Sequence, residues 1–115
     1  MTINPATSER LDRAFSALSD PTRRAILQRL AAGEATVSQL MEPFDLSQPT
    51  ISKHLRVLED AGFIARGRDA QKRPRMLVIA AFKDVDSWVE PFRRQWEARF
   101  DNLDAHLSKM NPKEK

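Results

Sequence analysis

The feature that most constrains this sequence is a pair of short amphipathic segments between residues 36 and 62, each opened by its own helix-capping signal. Thr36 is followed three residues later by a glutamine, the spacing of a capping box. Ser47 then provides a second N-cap, and the segment after it carries one apolar stripe, formed by Ile51, Leu55 and Leu58. Gly62 ends this second segment. Two short helices joined by a tight turn, the second running over Gln48–Ala61 with a polar outer face, are typical of a helix-turn-helix.

Two further helices precede this pair. We predict the first from Glu9, capped by Ser8, because apolar residues recur there at helical spacing: Leu11, Ala14, Phe15 and Leu18. Asp20 and the proline after it mark a second start, since a carboxylate accepts from free amides of the first turn and proline fits the first position. This helix is expected to reach about Ala32, with Gly33 closing it in the left-handed conformation.

A β-hairpin is predicted after the helix pair. Two β-prone segments, residues 63–68 and 75–80, flank a polar stretch that contains turn-forming residues. Residues 53–75 carry seven basic and three acidic side chains, a net charge of +4 against +3 for the whole chain. The hairpin is therefore expected to be a cationic wing that attracts polyanions. The fold class expected is mainly α with a small β-hairpin wing, a winged helix-turn-helix.

The last element has the most regular pattern. Apolar residues step by three or four from Val85 to Met110, which predicts a helix over about residues 84–110 with one apolar seam. Pro91 lies past the first turn, so we expect the regular part to begin only near Glu90. The aromatic residues on this helix are more than a small core can cover, so a second copy of the chain is expected to bury them. Residues 1–115 would then form one domain that ends in a dimerisation helix.

Composition excludes several classes of protein. The absence of cysteine removes disulfides, thiolate nucleophiles and thiolate metal sites. The longest apolar run, Met76–Phe82, is far shorter than a membrane span, and no secretory signal is legible, so a cytoplasmic location is expected. There is no glycine-rich phosphate loop and no His–carboxylate set at catalytic spacing. We therefore expect neither an enzyme nor a cofactor.

Two motifs carry a family resemblance. Residues 17–27 (ALSDPTRRAIL) and 46–64 (LSQPTISKHLRVLEDAGFI) closely resemble the ArsR family of winged-helix repressors, and the resemblance extends from about Glu9 to the terminal helix. It implies a homodimer formed through the first and last helices, and repression that an effector relieves. Many members sense metals through cysteines in the third helix or Asp/His sets on the last. Asp104 and His106 match only part of the second pattern and the chain ends before further ligands, so no metal site is expected.

The predicted DNA-contacting surface combines the second helix of the pair with the wing. An α-helix fits the major groove, and at 100° per residue the polar side chains of this helix lie opposite its apolar stripe. Gln48 is expected to read an adenine edge, Lys53 a guanine or a phosphate, and Arg56 the backbone. The full expected set is Gln48, Pro49, Thr50, Ser52, Lys53, His54, Arg56, Arg66, Arg68, Lys72, Arg73 and Arg75.

Two-fold symmetry would place the recognition helices in successive major grooves. The operator is therefore expected to be an imperfect palindrome with half-sites roughly 10 bp apart. The residues expected at the dimer interface are Leu11, Phe15, Phe92, Trp96, Phe100, Leu103 and Leu107.

Several residues have a second interpretation. His54, at the edge of the buried stripe, either contacts DNA or packs against a neighbouring group. The Asp104/His106 pair is interpreted as surface polarity, with a metal site shared between subunits as the alternative. The Trp96/Phe100 stripe is interpreted as interface, with an effector pocket as the alternative. The alternative function is a winged-helix protein-interaction module without sequence-specific DNA binding, and the cationic outer face favours DNA. The effector is unknown.

Overall fold

The computed structural model describes residues 5–69 and 71–110, with the side chains of Pro5 and Met110 outside that description. The elements in chain order are α1 (Pro5–Leu18), α2 (Pro21–Leu30), α3 (Val37–Met41), α4 (Gln48–Asp60), β1 (Ile64–Arg66), β2 (Arg75–Leu77) and α5 (Ala80–Met110). This order confirms the predicted class, mainly α with a hairpin wing. None of the described helices combines the length and apolarity that crossing a bilayer requires.

The chain divides into two compact units, one ending at Val85 and the other beginning at Asp86. In the first unit, α1 begins at Pro5 rather than at Glu9, so the prediction of Ser8 as its cap is wrong. A proline fits the first helical position because it has no amide to leave unpaired, which explains the earlier start. The inner face of α1 is made of small residues, since Ala14 and Ala17 are fully buried while Phe15 is partly exposed.

The capping signals of α2 and α3 are confirmed. The Asp20 carboxylate accepts from the Arg23 amide at 3.0 Å. Thr36 and Gln39 exchange two bonds, since the Thr36 amide donates to Gln39 Oε1 at 2.9 Å and the Gln39 amide donates to Thr36 Oγ1 at 3.2 Å. Helix α2 ends at Leu30, two residues before the predicted end, and Gly33 follows with a φ of 141°. These local bonds fix where each helix begins without help from the rest of the fold.

One core lies beneath α2, α3 and α4. Its largest fully buried side chains are Phe63, Ile26, Leu40, Ile51, Leu55 and Leu58. The first turns of α5 complete it, since Ala81 is buried and the Phe82 ring meets Phe63 edge-on with centroids 4.8 Å apart. The apolar stripe predicted for α4 is therefore the stripe that faces the core.

The wing is an antiparallel pair shorter than predicted. β1 and β2 pair Ile64 with Leu77, Ala65 with Met76 and Arg66 with Arg75. Residues 78–80, expected to extend the second strand, do not belong to it, because the Val78 amide donates back to the Phe63 carbonyl at 2.9 Å and α5 starts at Ala80. The other edge of β2 bonds to Ala35, the residue before the cap of α3.

Helix α5 differs from its prediction at both points where a boundary was expected. It starts at Ala80 rather than near residue 84, and it continues through Pro91 without a new start near Glu90. The early start follows from packing, because the Ala81 amide donates to the Gly62 carbonyl at 3.2 Å and anchors the first turn. A proline removes one backbone donor, and in a helix of 31 residues the remaining bonds persist on either side.

Candidate nucleic-acid interface

Helix α4 is held at both ends by local bonds. Ser47 Oγ accepts from the Thr50 amide at 3.4 Å and lies 2.9 Å from Thr50 Oγ1. At the other end the Gly62 amide donates to the Glu59 carbonyl and the Phe63 amide donates to the Leu58 carbonyl, both at 3.0 Å, which is the Schellman arrangement. Gly62 has a φ of 86°, the conformation this arrangement requires. The helix is therefore a rigid support for the side chains on its outer face.

The outer face of α4 is polar and cationic, as predicted. Ile51 and Leu55 turn inward and are buried, whereas Ser52, Lys53 and Arg56 are exposed. Gln48 and Pro49, in the first turn, are exposed as well, and Thr50 is partly buried.

A cleft of about 780 Å³ separates this face from the wing. The side chains that line it come from α3, α4 and the wing: Thr36, Val37, Ser38, Gln39, Gln48, Ser52, Arg66, Gln71, Lys72, Arg73 and Arg75. Its lining contains four cations and no carboxylate. Such a surface suits a phosphate backbone better than a small apolar ligand.

Asp69 accepts three backbone hydrogen bonds near the tip of the wing. Its side chain accepts from the amides of Gln71 and Lys72, at 3.0 and 3.2 Å, and its carbonyl accepts from the Arg73 amide at 2.7 Å. Arg73 has a φ of 39°, which turns the chain back toward β2. The side chains of Lys72, Arg73 and Arg68 are exposed, as expected for wing cations.

The two stem arginines are engaged within the protein. Arg75 is buried, and its Nε donates to Glu59 Oε1 at 2.9 Å, while a guanidinium nitrogen donates to the Arg73 carbonyl. Arg66, half exposed, donates from Nε to Glu59 Oε1 and Oε2 at 3.1 and 3.3 Å. The expectation that Arg75 projects outward as a wing cation is therefore not met. Glu59 was missed in the sequence because its partners depend on the register of the hairpin.

His54 lies against the start of α2. Its Nδ1 is 3.2 Å from an Arg23 guanidinium nitrogen and 4.0 Å from Asp20 Oδ2. Arg23 also donates to the carbonyls of Ala17 and Ser16, at 2.7 and 2.9 Å. The pKa of Asp20 is lowered, first by the Arg23 amide that donates to it and further by the charges of His54 and Arg23. Of the two interpretations of His54, the geometry favours packing.

The residues expected at a dimer interface fall into two groups. In the first unit, Leu11 is partly buried and Phe15 is partly exposed. In the second unit all five are about half exposed: Phe92, Trp96, Phe100, Leu103 and Leu107. Asp104 and His106 are also exposed, and within the described part of the chain no three His, Asp or Glu side chains converge as metal ligands.

Comparison with known proteins agrees with this architecture. Residues 18–66 match a family described as a helix-turn-helix domain. The transcriptional repressor SdpR of Bacillus subtilis is 37% identical over 82 residues, covering 71% of this chain and 91% of the repressor. A probable mercury resistance operon repressor of Streptomyces lividans is 43% identical over 60 residues, covering 52% of this chain and 48% of that protein.

A solved structure gives the same result. The crystal structure of an ArsR family transcriptional regulator superposes with a TM-score of 0.72 and 40% identity, covering 84% of this chain and 97% of that one. The chain belongs to the ArsR family. It is a transcriptional regulator and not an enzyme, which confirms the class predicted from the sequence.

Proposed function

We propose that this protein is a repressor that binds a palindromic operator as a homodimer. The observation that carries the proposal is the exposed cationic face of α4, held rigidly at both ends, opposite a cleft that leads to a cationic wing. A helix with this exposure can enter the major groove while the wing reaches the adjacent backbone. A protein-interaction module would present apolar anchors here instead.

The exposed residues divide by position. Gln48, Pro49, Ser52 and Lys53 lie in the first two turns of α4, where recognition-helix side chains reach base edges. Phosphate contacts are assigned to cations further from that start: Arg56, Arg68, Lys72 and Arg73. Thr50 is partly buried, and its hydroxyl already has the Ser47 hydroxyl as a hydrogen-bond partner at 2.9 Å. Arg66, Arg75 and His54 act through their intramolecular partners.

The dimer is proposed to form through the apolar residues of α5 with those of α1. From Phe92 to Leu107, large apolar side chains are half exposed over more than four helical turns, a surface that a second copy can cover. One solved neighbour, a homodimeric winged helix-turn-helix DNA-binding domain from Mycobacterium bovis, shares the fold at 24% identity and a TM-score of 0.60. Repression is inferred from the names of the relatives, which include repressors of arsenical resistance operons.

The test is to identify the bound DNA. The protein would be used to select duplexes from a random library and to map bound sites in its own genome, and the top site would be examined by electrophoretic mobility shift. We expect an inverted repeat with half-sites about 10 bp apart, bound by two chains. Binding that shows no preference for this duplex over a shuffled one of equal composition, at modest salt, would refute the proposal.

A further inference from the structure

Glu59 is the one carboxylate that the structure places between the recognition helix and the wing in the described residues. It belongs to the last turn of α4, yet its side chain turns toward the hairpin and is about one-fifth exposed. Two arginines donate to it, Arg75 from β2 at 2.9 Å and Arg66 from β1 at 3.1 Å. The carboxylate therefore joins α4 to both strands of the wing.

The register of the hairpin explains why an acid is needed there. Arg66 and Arg75 are directly opposite partners in the antiparallel pair. Like charges at opposite positions destabilise a strand pair, and the cost grows when one of them is buried, as Arg75 is. Glu59 lies between the two guanidinium groups and neutralises part of their charge.

The same carboxylate sits beside the proposed DNA surface. A shallow depression is lined by three exposed residues of α4 and by the ion-paired cluster: Ser52, Lys53, Arg56, Glu59, Arg66 and Arg75. Arg75 is also bonded through its backbone to Ala35 in both directions, at 3.1 and 2.7 Å, so the cluster is tied to the segment that leads into α3. Glu59 is therefore the side-chain link between α4 and a hairpin that backbone bonds also tie to Ala35.

We propose that Glu59 is a positioning and specificity-determining residue for DNA binding. Its carboxylate holds the wing against α4, so that both elements can contact the operator at once. It also keeps Arg66 in an ion pair and away from phosphate, which keeps the affinity for arbitrary sequences low. This inference rests on the proposed function, and it assigns to Arg66 and Arg75 a role in shaping the surface.

The test compares Glu59→Gln with Asp60→Asn, which removes one negative charge from the neighbouring position of the same helix. Asp60 lines a different groove, with Asp12 and Arg13 of α1, and so lies on the α1 side of α4. Binding of each variant would be measured, from low to moderate salt, on the duplex selected by the wild-type protein and on a shuffled duplex of equal composition.

We expect Glu59→Gln to lower the ratio of selected to shuffled affinity about tenfold, the scale of one mismatched base pair. On the shuffled duplex the slope of log affinity against log salt should steepen by about one per subunit, because the freed Arg66 gains a phosphate. Adding Arg66→Gln should return this slope to the wild-type value while the ratio stays low. Equal changes in Glu59→Gln and Asp60→Asn would overturn the proposal.

A variant that keeps the buried pair makes the test independent of folding. Arg66→Gln leaves Glu59 bonded to Arg75 and changes only a half-exposed side chain. Alone, it should lower the affinity ratio with no change in salt slope. An unchanged ratio, or a shallower slope that marks Arg66 as a phosphate contact, would contradict the assignment. If the wild-type protein itself shows no preference between the duplexes, the proposed function fails instead.

Discussion

The unit that ends at Val85 and the helical unit that follows it differ in where their large apolar side chains lie. In the first, six large apolar residues are fully buried, including Ile26, Leu55 and Phe63. In the second, residues 91–109 are exposed throughout, and Trp96 and Phe100 are 57% and 60% exposed. Since apolar burial is the main force that stabilises a fold, the first unit has a core of its own and the second has an uncovered seam.

The difference also separates two tasks. Every residue proposed to touch DNA belongs to the first unit, and most of those proposed to pair the subunits belong to the second. Aromatic contacts within the second unit, between Trp88 and Phe92 at 4.9 Å and between Trp96 and Phe100 at 6.0 Å, lie along a single helix and close no core. Substitutions in the DNA surface of the first unit should therefore leave dimerisation intact.

The largest effect is expected from two charges on the exposed seam. Trp96→Asp combined with Leu103→Asp would place unpaired carboxylates in a buried interface and should raise the dimer dissociation constant by at least about a thousandfold, or roughly 4 kcal/mol. Analytical ultracentrifugation at low micromolar concentration would show monomers, with reduced helicity by circular dichroism if α5 is stabilised by pairing.

The matched control carries the same two charges on the other face. Ala98→Asp with Ala105→Asp has the same seven-residue spacing, each lies about 200° around the helix from the seam residue, and both positions are exposed. These variants should remain dimeric. If the Trp96/Leu103 variant remained dimeric, or if both variants were monomeric, the apolar seam of α5 would not be the dimer interface.

The second prediction concerns the core of the first unit. Ile26→Ala deletes a fully buried side chain of α2, which lies away from the proposed DNA face, and should lower the free energy of unfolding by about 3 kcal/mol. Urea unfolding followed by circular dichroism at one protein concentration measures it. Gln28→Ala, exposed on the same helix, should change stability by less than about 0.5 kcal/mol. A loss for Ile26→Ala as small as that for Gln28→Ala would mean that the packing of α2 contributes little stability.

Within the first unit, some helix boundaries could be predicted from the sequence and others could not. Starts set by local bonds were predicted to the residue: Asp20 for α2, Thr36 for α3 and Ser47 for α4. Each depends on side chains within three positions of the amide they bond. Boundaries that depend on distant contacts were not predicted. One is the start of α5, where the Ala81 amide donates to the Gly62 carbonyl.

The candidate site divides in the same way. The outward face of α4 follows from helix periodicity alone, so Ser52, Lys53 and Arg56 could be assigned from spacing. Arg75 could not, because its burial is produced by a hairpin register and by Glu59, sixteen residues away. A count of charges cannot tell a cation that faces solvent from one that is paired inside.

The third prediction tests whether the exposed face of α4 contacts DNA without affecting dimerisation. Lys53→Ala removes an exposed cation from the second turn of α4 and should weaken binding to the selected duplex by on the order of 1–3 kcal/mol, with dimerisation unchanged. Mobility shift or fluorescence anisotropy measures the affinity. Lys83→Ala, an exposed lysine at the start of α5, is the control and should bind normally. Unchanged affinity of the Lys53 variant would exclude this residue from the interface.

The smallest effect on stability is expected at the N-cap of α2, whose hydrogen bond depends on neither the core nor a second subunit. Asp20→Ala removes the acceptor of the Arg23 amide and should cost about 1 kcal/mol at pH 7, whereas Asp20→Asn keeps a good N-cap and isolates the charge.

Because the pKa of Asp20 is lowered in the folded protein, its carboxylate stabilises the fold above the ordinary aspartate pKa of about 3.9, and this contribution is lost as pH falls through the lower folded value. The groups that face it are Arg23 and His54. Urea unfolding of wild type and Asp20→Asn from pH 7 to pH 2.5 should therefore show a gap that closes in acid. A gap that persists at pH 2.5 would mean that the bond geometry of the cap, and not its charge, carries the stabilisation.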